Sequence, residues 1–172
     1  MRTALAVAMV LFSAGCIKKP RSQRSQDGSL EVTLPAGWAP AVLNGPGKIQ
    51  ASSGSKNAYV IVVSEAKVDF AKLDTNEAYA AFVLDLEAKK SQMPDRKITG
   101  PQKIKVNGKD ALRYEVSGTL KNLRLNFVKT FIESEKHWNQ ISCWTTPSHI
   151  DESRADFEAI VNSFRDLSSS AK

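Results

Sequence analysis

Apolar and polar positions follow two periods along this chain. Leu30-Glu31-Val32-Thr33-Leu34 alternates with period two, as a strand with one buried face does, and Pro35-Ala36-Gly37 turns the chain ahead of Trp38. Asn44-Gly45-Pro46-Gly47 marks a second turn, and Lys48 to Ser52 can form a short strand. Ala58-Tyr59-Val60-Ile61-Val62-Val63 is β-branched and apolar on both sides, the composition of a central strand covered on both faces. The period then changes: Tyr79, Phe82, Val83 and Leu86 recur at helical spacing, with Asp74 and Glu77 placed as a capping box, Leu73 as a staple onto Ala78, and Pro94 as the stop beyond Lys90. Arg96 to Val106 reads as a strand, Asn107-Gly108 as a two-residue hairpin turn, and Asp110, Leu112, Tyr114 and Val116 as one face of the return. Leu123–Ile132 and His137–Thr145 continue the meander around Ser134-Glu135. A closing helix begins near Ser148 to Asp151 and carries Ile150, Phe157, Ile160, Val161 and Phe164 on one stripe. The pattern predicts an α+β fold: a twisted antiparallel β-sheet meander packed between amphipathic helices.

The N-terminus follows a different logic. Met1-Arg2-Thr3 precedes an uncharged run from Ala4 to Phe12, and Ser13-Ala14-Gly15-Cys16 ends it in small residues. Even counted through Gly15 the run is about a dozen residues, short of the roughly 20 that span a bilayer as a helix. It reads as an export signal, residues 1–15. Ala14-Gly15-Cys16 resembles the bacterial lipobox, although Ser13 stands where leucine is commoner. In that resemblance the Cys16 thiolate takes up a diacylglyceryl group and its freed amine a further acyl chain; at about 0.8 kcal/mol per buried methylene, two or three chains hold where one is marginal. The expected organisation is therefore a signal peptide (1–15), a lipidated cysteine and flexible basic tether (16–29), one folded domain (30–167) and a frayed tail (168–172). A membrane anchor through lipid on Cys16 places the domain in the cell envelope, and Ile17 after the cysteine favours the outer membrane, periplasmic side, in a diderm host.

Charge changes little once it is located. Of 24 Lys and Arg, five (Arg2, Lys18, Lys19, Arg21 and Arg24) precede Leu30, as does Asp27 of the 18 Asp and Glu. The remaining 19 bases and 17 acids nearly cancel, so the basic character sits mainly ahead of Leu30, in the tether, and gives no case for nucleic acid. With Cys16 committed to lipid, Cys143 has no partner, so no disulfide is expected and Cys143 reads as a small buried residue.

The motif order resembles the PsbP-like family over Leu30 to Leu167. The resemblance rests on Leu34-Pro35-Ala36-Gly37-Trp38, Val106-Asn107-Gly108-Lys109-Asp110-Ala111 leading into Tyr114-Glu115, Trp144-Thr145-Thr146-Pro147, and Phe157-Glu158-Ala159-Ile160-Val161-Asn162-Ser163-Phe164. It implies a PsbP-like α/β/α sandwich and non-enzymatic roles in holding or assembling larger complexes.

Catalytic and metal chemistry have little local support. His137 and Cys143 share a strand face about 20 Å apart at 3.3 Å per residue, too far to bind one metal. His149 beside Asp151 reads as a surface pair, no Gly-x-Ser-x-Gly elbow occurs, and Gly45-Pro46-Gly47-Lys48 lacks the Ser or Thr of a phosphate loop. Trp38 and Trp144 read as core aromatics. No catalytic residue, metal or cofactor is expected, and the domain is expected to be monomeric. Two observations resist a plain core: His137-Trp138-Asn139-Gln140-Ile141-Ser142-Cys143-Trp144 is polar on both faces, and Lys129 interrupts the apolar face of Leu123, Leu125, Phe127 and Phe131. Either a β-bulge re-aims these side chains, or one end of the sheet leaves its helix cover and opens to a groove. The functional expectation is a lipid-anchored, non-catalytic accessory or assembly module with a protein partner in the envelope. The alternative is a small-ligand carrier or cryptic hydrolase with a pocket near the His137–Trp144 strand.

Overall fold

The computed structural model describes residues 19–43, 45–90 and 93–168; Cys16 and the signal lie outside them. Seven antiparallel strands form the main sheet in the order β3-β4-β5-β9-β8-β7-β6: β3 (Ala39–Pro40), β4 (Ile49–Ser53), β5 (Ala58–Ala66), β6 (Lys97–Val106), β7 (Lys109–Leu120), β8 (Leu123–Glu133) and β9 (His137–Thr145). Helix α1 (Asn76–Lys90) lies on one face and helix α2 (Ile150–Asn162) on the other. A second sheet of β1 (Arg21–Arg24), β2 (Leu30–Leu34) and β10 (Arg165–Asp166) packs with α2, its Leu30, Val32 and Leu34 wholly buried. The α+β class and the meander β6 to β9 are as the periodicity implies. The hairpin at Asn107-Gly108 has positive φ at both residues, 48° and 79°, as a primed two-residue turn requires.

The core on the α2 face joins Phe157, Ile160, Val161 and Phe164 to Val60, Val62, Ile141 and Cys143. Trp38 closes it, edge-on to Phe157 with ring centroids 6.2 Å apart, and its indole N–H donates to Asp156 at 2.8 Å. Burial pushes the Cys143 thiol up, so it is an inert core residue. On the α1 face Tyr79 is fully buried; it stacks on Trp138 at 5.4 Å and meets Phe131 and Phe70 edge-on. Thr75, not Asp74, caps α1, through a bond from the Ala78 N–H to its hydroxyl oxygen. His149 pairs with Glu152 rather than Asp151.

The tether expectation needs correction. Arg21–Arg24 is a strand, paired antiparallel with β2 from Arg21 opposite Leu34 to Arg24 opposite Glu31. Its polar sequence carries no alternation because an exposed edge strand needs only its backbone to pair. The turn that follows is tied by Asp27, which accepts bonds from Lys48 Nζ (2.8 Å), Ser25 Oγ (2.6 Å) and Ser29 Oγ (2.7 Å). Ser168, assigned to the frayed tail, bonds Asp166 and His137.

These ties carry a pH dependence. The Lys48 ammonium, with the Ser25 and Ser29 hydroxyls, holds the Asp27 carboxyl far below the usual carboxylate range; the Thr119 backbone N–H and hydroxyl hold Asp95 down as well. Both folded-state values lie under the unfolded value of about 3.9, so their stabilisation is complete above that pH and is lost as pH falls through the folded values. Urea midpoints should hold from pH 7 to about pH 5 and fall below about pH 4. The double variant Asp27→Asn, Asp95→Asn should show a shallower acid decline, and an unchanged slope would refute the assignment.

Candidate functional site

Helix α1 does not cover all of its face. Alternation sends Tyr59, Ile61, Val63 and Glu65 of β5 toward it, with Trp138, Gln140, Ser142 and Trp144 of β9 and Phe127, Lys129 and Phe131 of β8. The helix rests on Phe131 and Trp138, which lie in adjacent rows of the sheet. The rows nearer Trp144 are left as the floor of a cavity of about 620 Å³, within the span of small-molecule sites. Ile61, Val63, Phe127, Val116 and Trp144 line the sheet side; Phe82, Val83 and Leu86 line the helix side. Lys90, Met93 and Arg96, with the segment Gly45-Pro46, complete the walls. That segment crosses close over β5: a Cβ on Gly47 would lie 2.4 Å from Ile61 Cγ2, so only glycine fits.

The floor combines an aromatic row with a polar knot. Trp144 and Phe127 of the floor stack across β9 and β8 with centroids 5.9 Å apart, and Tyr59 of β5 extends the row outside the cavity, 5.4 Å from Trp144. Beside them Lys129 and Ser142 are register partners and buried. Lys129 Nζ donates to Glu87 of α1 at 2.7 Å and to Ser142 Oγ at 2.9 Å; the Gln140 amide donates to Ser142 Oγ at 2.8 Å and to Glu87 at 3.3 Å. Arg96 Nη2 approaches Glu87 at 3.6 Å, and its Nη1 donates to the Leu84 carbonyl. Burial pulls the Lys129 ammonium below the usual lysine range, while Glu87 works in the opposite direction. Tyr79 donates to Glu65 at 2.6 Å, and burial followed by this bond pushes its phenol up.

The β-bulge account of the polar strand fails: β8 and β9 pair without a break from Asn126–Thr145 to Glu133–Trp138, and the register shift lies between Thr99 and Gln102 of β6. The groove account describes the molecule. The double cover expected for Ala58–Val63 is also corrected: Ala58, Val60 and Val62 are buried under α2, while Ile61 and Val63 face the cavity. Trp38 is a core aromatic, but Trp144 is half-buried and lines the cavity. Glu87 and Arg96 were not anticipated; only an acid on the cavity side of α1, opposite the suspect Lys129, could have signalled the first.

Ser142 and Lys129 are the nearest approach to a nucleophile and its base. Burial favours the neutral amine a base needs while Glu87 favours the charged one, and the Gln140 N–H already occupies the serine oxygen. The backbone around Ser142 is spent on β5 and β8, leaving no paired amides to hold an oxyanion. The knot presents donors to the cavity. Among the described residues no group of three or more His, Cys, Asp or Glu could hold a metal ion, and no helix is long and apolar enough to cross a membrane.

No family model and no curated protein matches the chain. Solved structures do. The cyanobacterial PsbP (CyanoP) of Synechocystis sp. PCC 6803 superposes with a TM-score of 0.62 at 11% identity, covering 88% of this chain and 95% of its own. The fold is PsbP-like. LpqN of Mycobacterium tuberculosis, involved in cell envelope biogenesis, shares the PsbP-like arrangement with a TM-score of 0.57 at 8% identity over 85% of this chain and 89% of its own. A protein of unknown function from Pseudomonas aeruginosa gives 0.54 at 16% over 84% and 95%. At these identities the likeness concerns the PsbP-like fold alone, and function has to be argued from the cavity.

Proposed function

We propose that the chain is a non-catalytic, lipid-anchored binding module of a bacterial cell envelope that takes an apolar small molecule between α1 and the sheet. The observation that carries this is the uncovered sheet face. Apolar side chains on β5, β7 and β8 remain beside the helix, and the space they bound has the size and lining of a ligand site. The envelope assignment is supported by the signal-like N-terminus and Cys16, and by the fold shared with LpqN. The exposed Phe82 and Leu86 on the helix side favour a second use of the same opening, docking of an apolar segment from a protein partner.

One set of measurements tests the proposal. The full chain, refolded from denaturant to remove carried lipid, should bind the neutral probe N-phenyl-1-naphthylamine with a fluorescence gain. The cavity-filling variant Val63→Trp should lose that gain while keeping its circular dichroism. In cells, an alkyne fatty acid should label the protein, and Cys16→Ser should abolish both the label and detergent-phase partitioning. Equal probe binding by wild type and Val63→Trp would sink the cavity reading; ester hydrolysis dependent on Ser142 would sink the non-catalytic one.

A further inference from the structure

We propose that the cavity selects a single-chain amphiphile with a carboxylate head, seated head-inward against Lys129 and Ser142. This rests on the cavity-binding reading and names the ligand class. A serine hydroxyl has two acceptor lone pairs and one proton to donate. Ser142 Oγ accepts from Lys129 Nζ and from the Gln140 amide, which uses both lone pairs. Its proton must then be donated elsewhere, and among the described residues no acceptor takes it. Lys129 has three N–H donors, of which Glu87 and Ser142 take two.

Two donors therefore stand together without acceptors, on side chains only 6% and 8% exposed, at the floor of an apolar cavity. Buried donors left unpaired are costly, and the two oxygens of a carboxylate can satisfy both. The charges agree in sign. Lys90, Arg96 and Lys129 line the cavity against Glu65 and Glu87, a surplus of one positive charge. Glu87 is matched by Lys129 and Arg96, while Glu65 accepts the Tyr79 hydroxyl proton. Ile61, Val63, Phe82 and Leu86 would enclose the alkyl chain. A cationic head would face Lys129 unpaired, and an alcohol would meet the donors without charge.

The experiment compares three twelve-carbon ligands, dodecanoate, 1-dodecanol and dodecyltrimethylammonium, on the refolded full chain, with Trp144 as the intrinsic reporter. Dodecanoate should bind at least about tenfold more tightly than dodecanol, since hydrogen bonds to charged groups are the stronger ones. Lys129→Met should weaken dodecanoate by about ten- to a hundredfold and leave dodecanol nearly unchanged. Should Lys129→Met lose its fold, the near-isosteric Ser142→Ala decides: it should reduce the carboxylate preference several-fold while keeping N-phenyl-1-naphthylamine binding. Equal affinity for dodecanoate and dodecanol, tightest binding of the ammonium, or equal loss of both ligands in either variant would overturn the head-group assignment with the cavity reading intact. Failure of the neutral probe and all three ligands would overturn both.

Discussion

Phe157→Ala is expected to lower the unfolding free energy by about 3–5 kcal/mol, read from urea midpoints at pH 7. Phe157 is 2% exposed and sits where α2, the small sheet and the main sheet meet, edge-on to Trp38. Alanine there loses the transfer energy of the ring and leaves a cavity. Neighbours on two rigid sheets can only partly close that cavity. Because α2 lies on the face away from the cavity, the folded fraction of this variant should bind N-phenyl-1-naphthylamine as the wild type does. A loss below about 1 kcal/mol would mean that the layer repacks around the gap and that Phe157 does not anchor it.

Tyr79→Ala should cost a comparable ~3–5 kcal/mol and, unlike Phe157→Ala, should abolish probe binding. Tyr79 is the largest α1 side chain in the core, stacked on Trp138 and meeting Phe131 and Phe70 edge-on, and its hydroxyl holds Glu65. Removing it loosens the helix that walls the cavity and strips Glu65 of its donor. Tyr79→Phe separates the two effects, since it keeps the rings and loses only the bond to Glu65. If Tyr79→Ala unfolds no more easily than wild type, or still binds the probe, α1 is not positioned in the way its contacts imply.

Most strands and helix α2 were legible because burial enforces their periods, whereas Phe82 and Leu86 of the stripe expected on α1 are exposed. Phe157, Ile160, Val161 and Phe164 recur at helical spacing and do form one buried stripe. The cavity was only half legible. Apolar Ile61 and Val63 look the same in sequence whether protein or ligand is to cover them, so the strand Ala58–Val63 was assigned a second layer it lacks. Polar Gln140, Ser142 and Lys129 did betray a break in the core, but their meaning depends on Glu87, which lies 42 residues from Lys129 in the chain. Arg21–Arg24 escaped notice for the opposite reason. Its pairing is made by backbone groups and leaves no trace in side-chain pattern.

If Cys16 carries lipid as proposed, that short strand also limits how far the domain can stray from such an anchor. A leash running freely from Cys16 to Leu30 would let the domain sample a volume tens of ångströms across. With Arg21 already fixed to Leu34, only five residue steps separate the cysteine from the folded body, and at most about 3.6 Å each bounds the gap near 18 Å. Lipid on Cys16 would then hold the edge of the small sheet next to the headgroups. The protein would meet its ligand at the concentration of a membrane surface rather than of the surrounding solution.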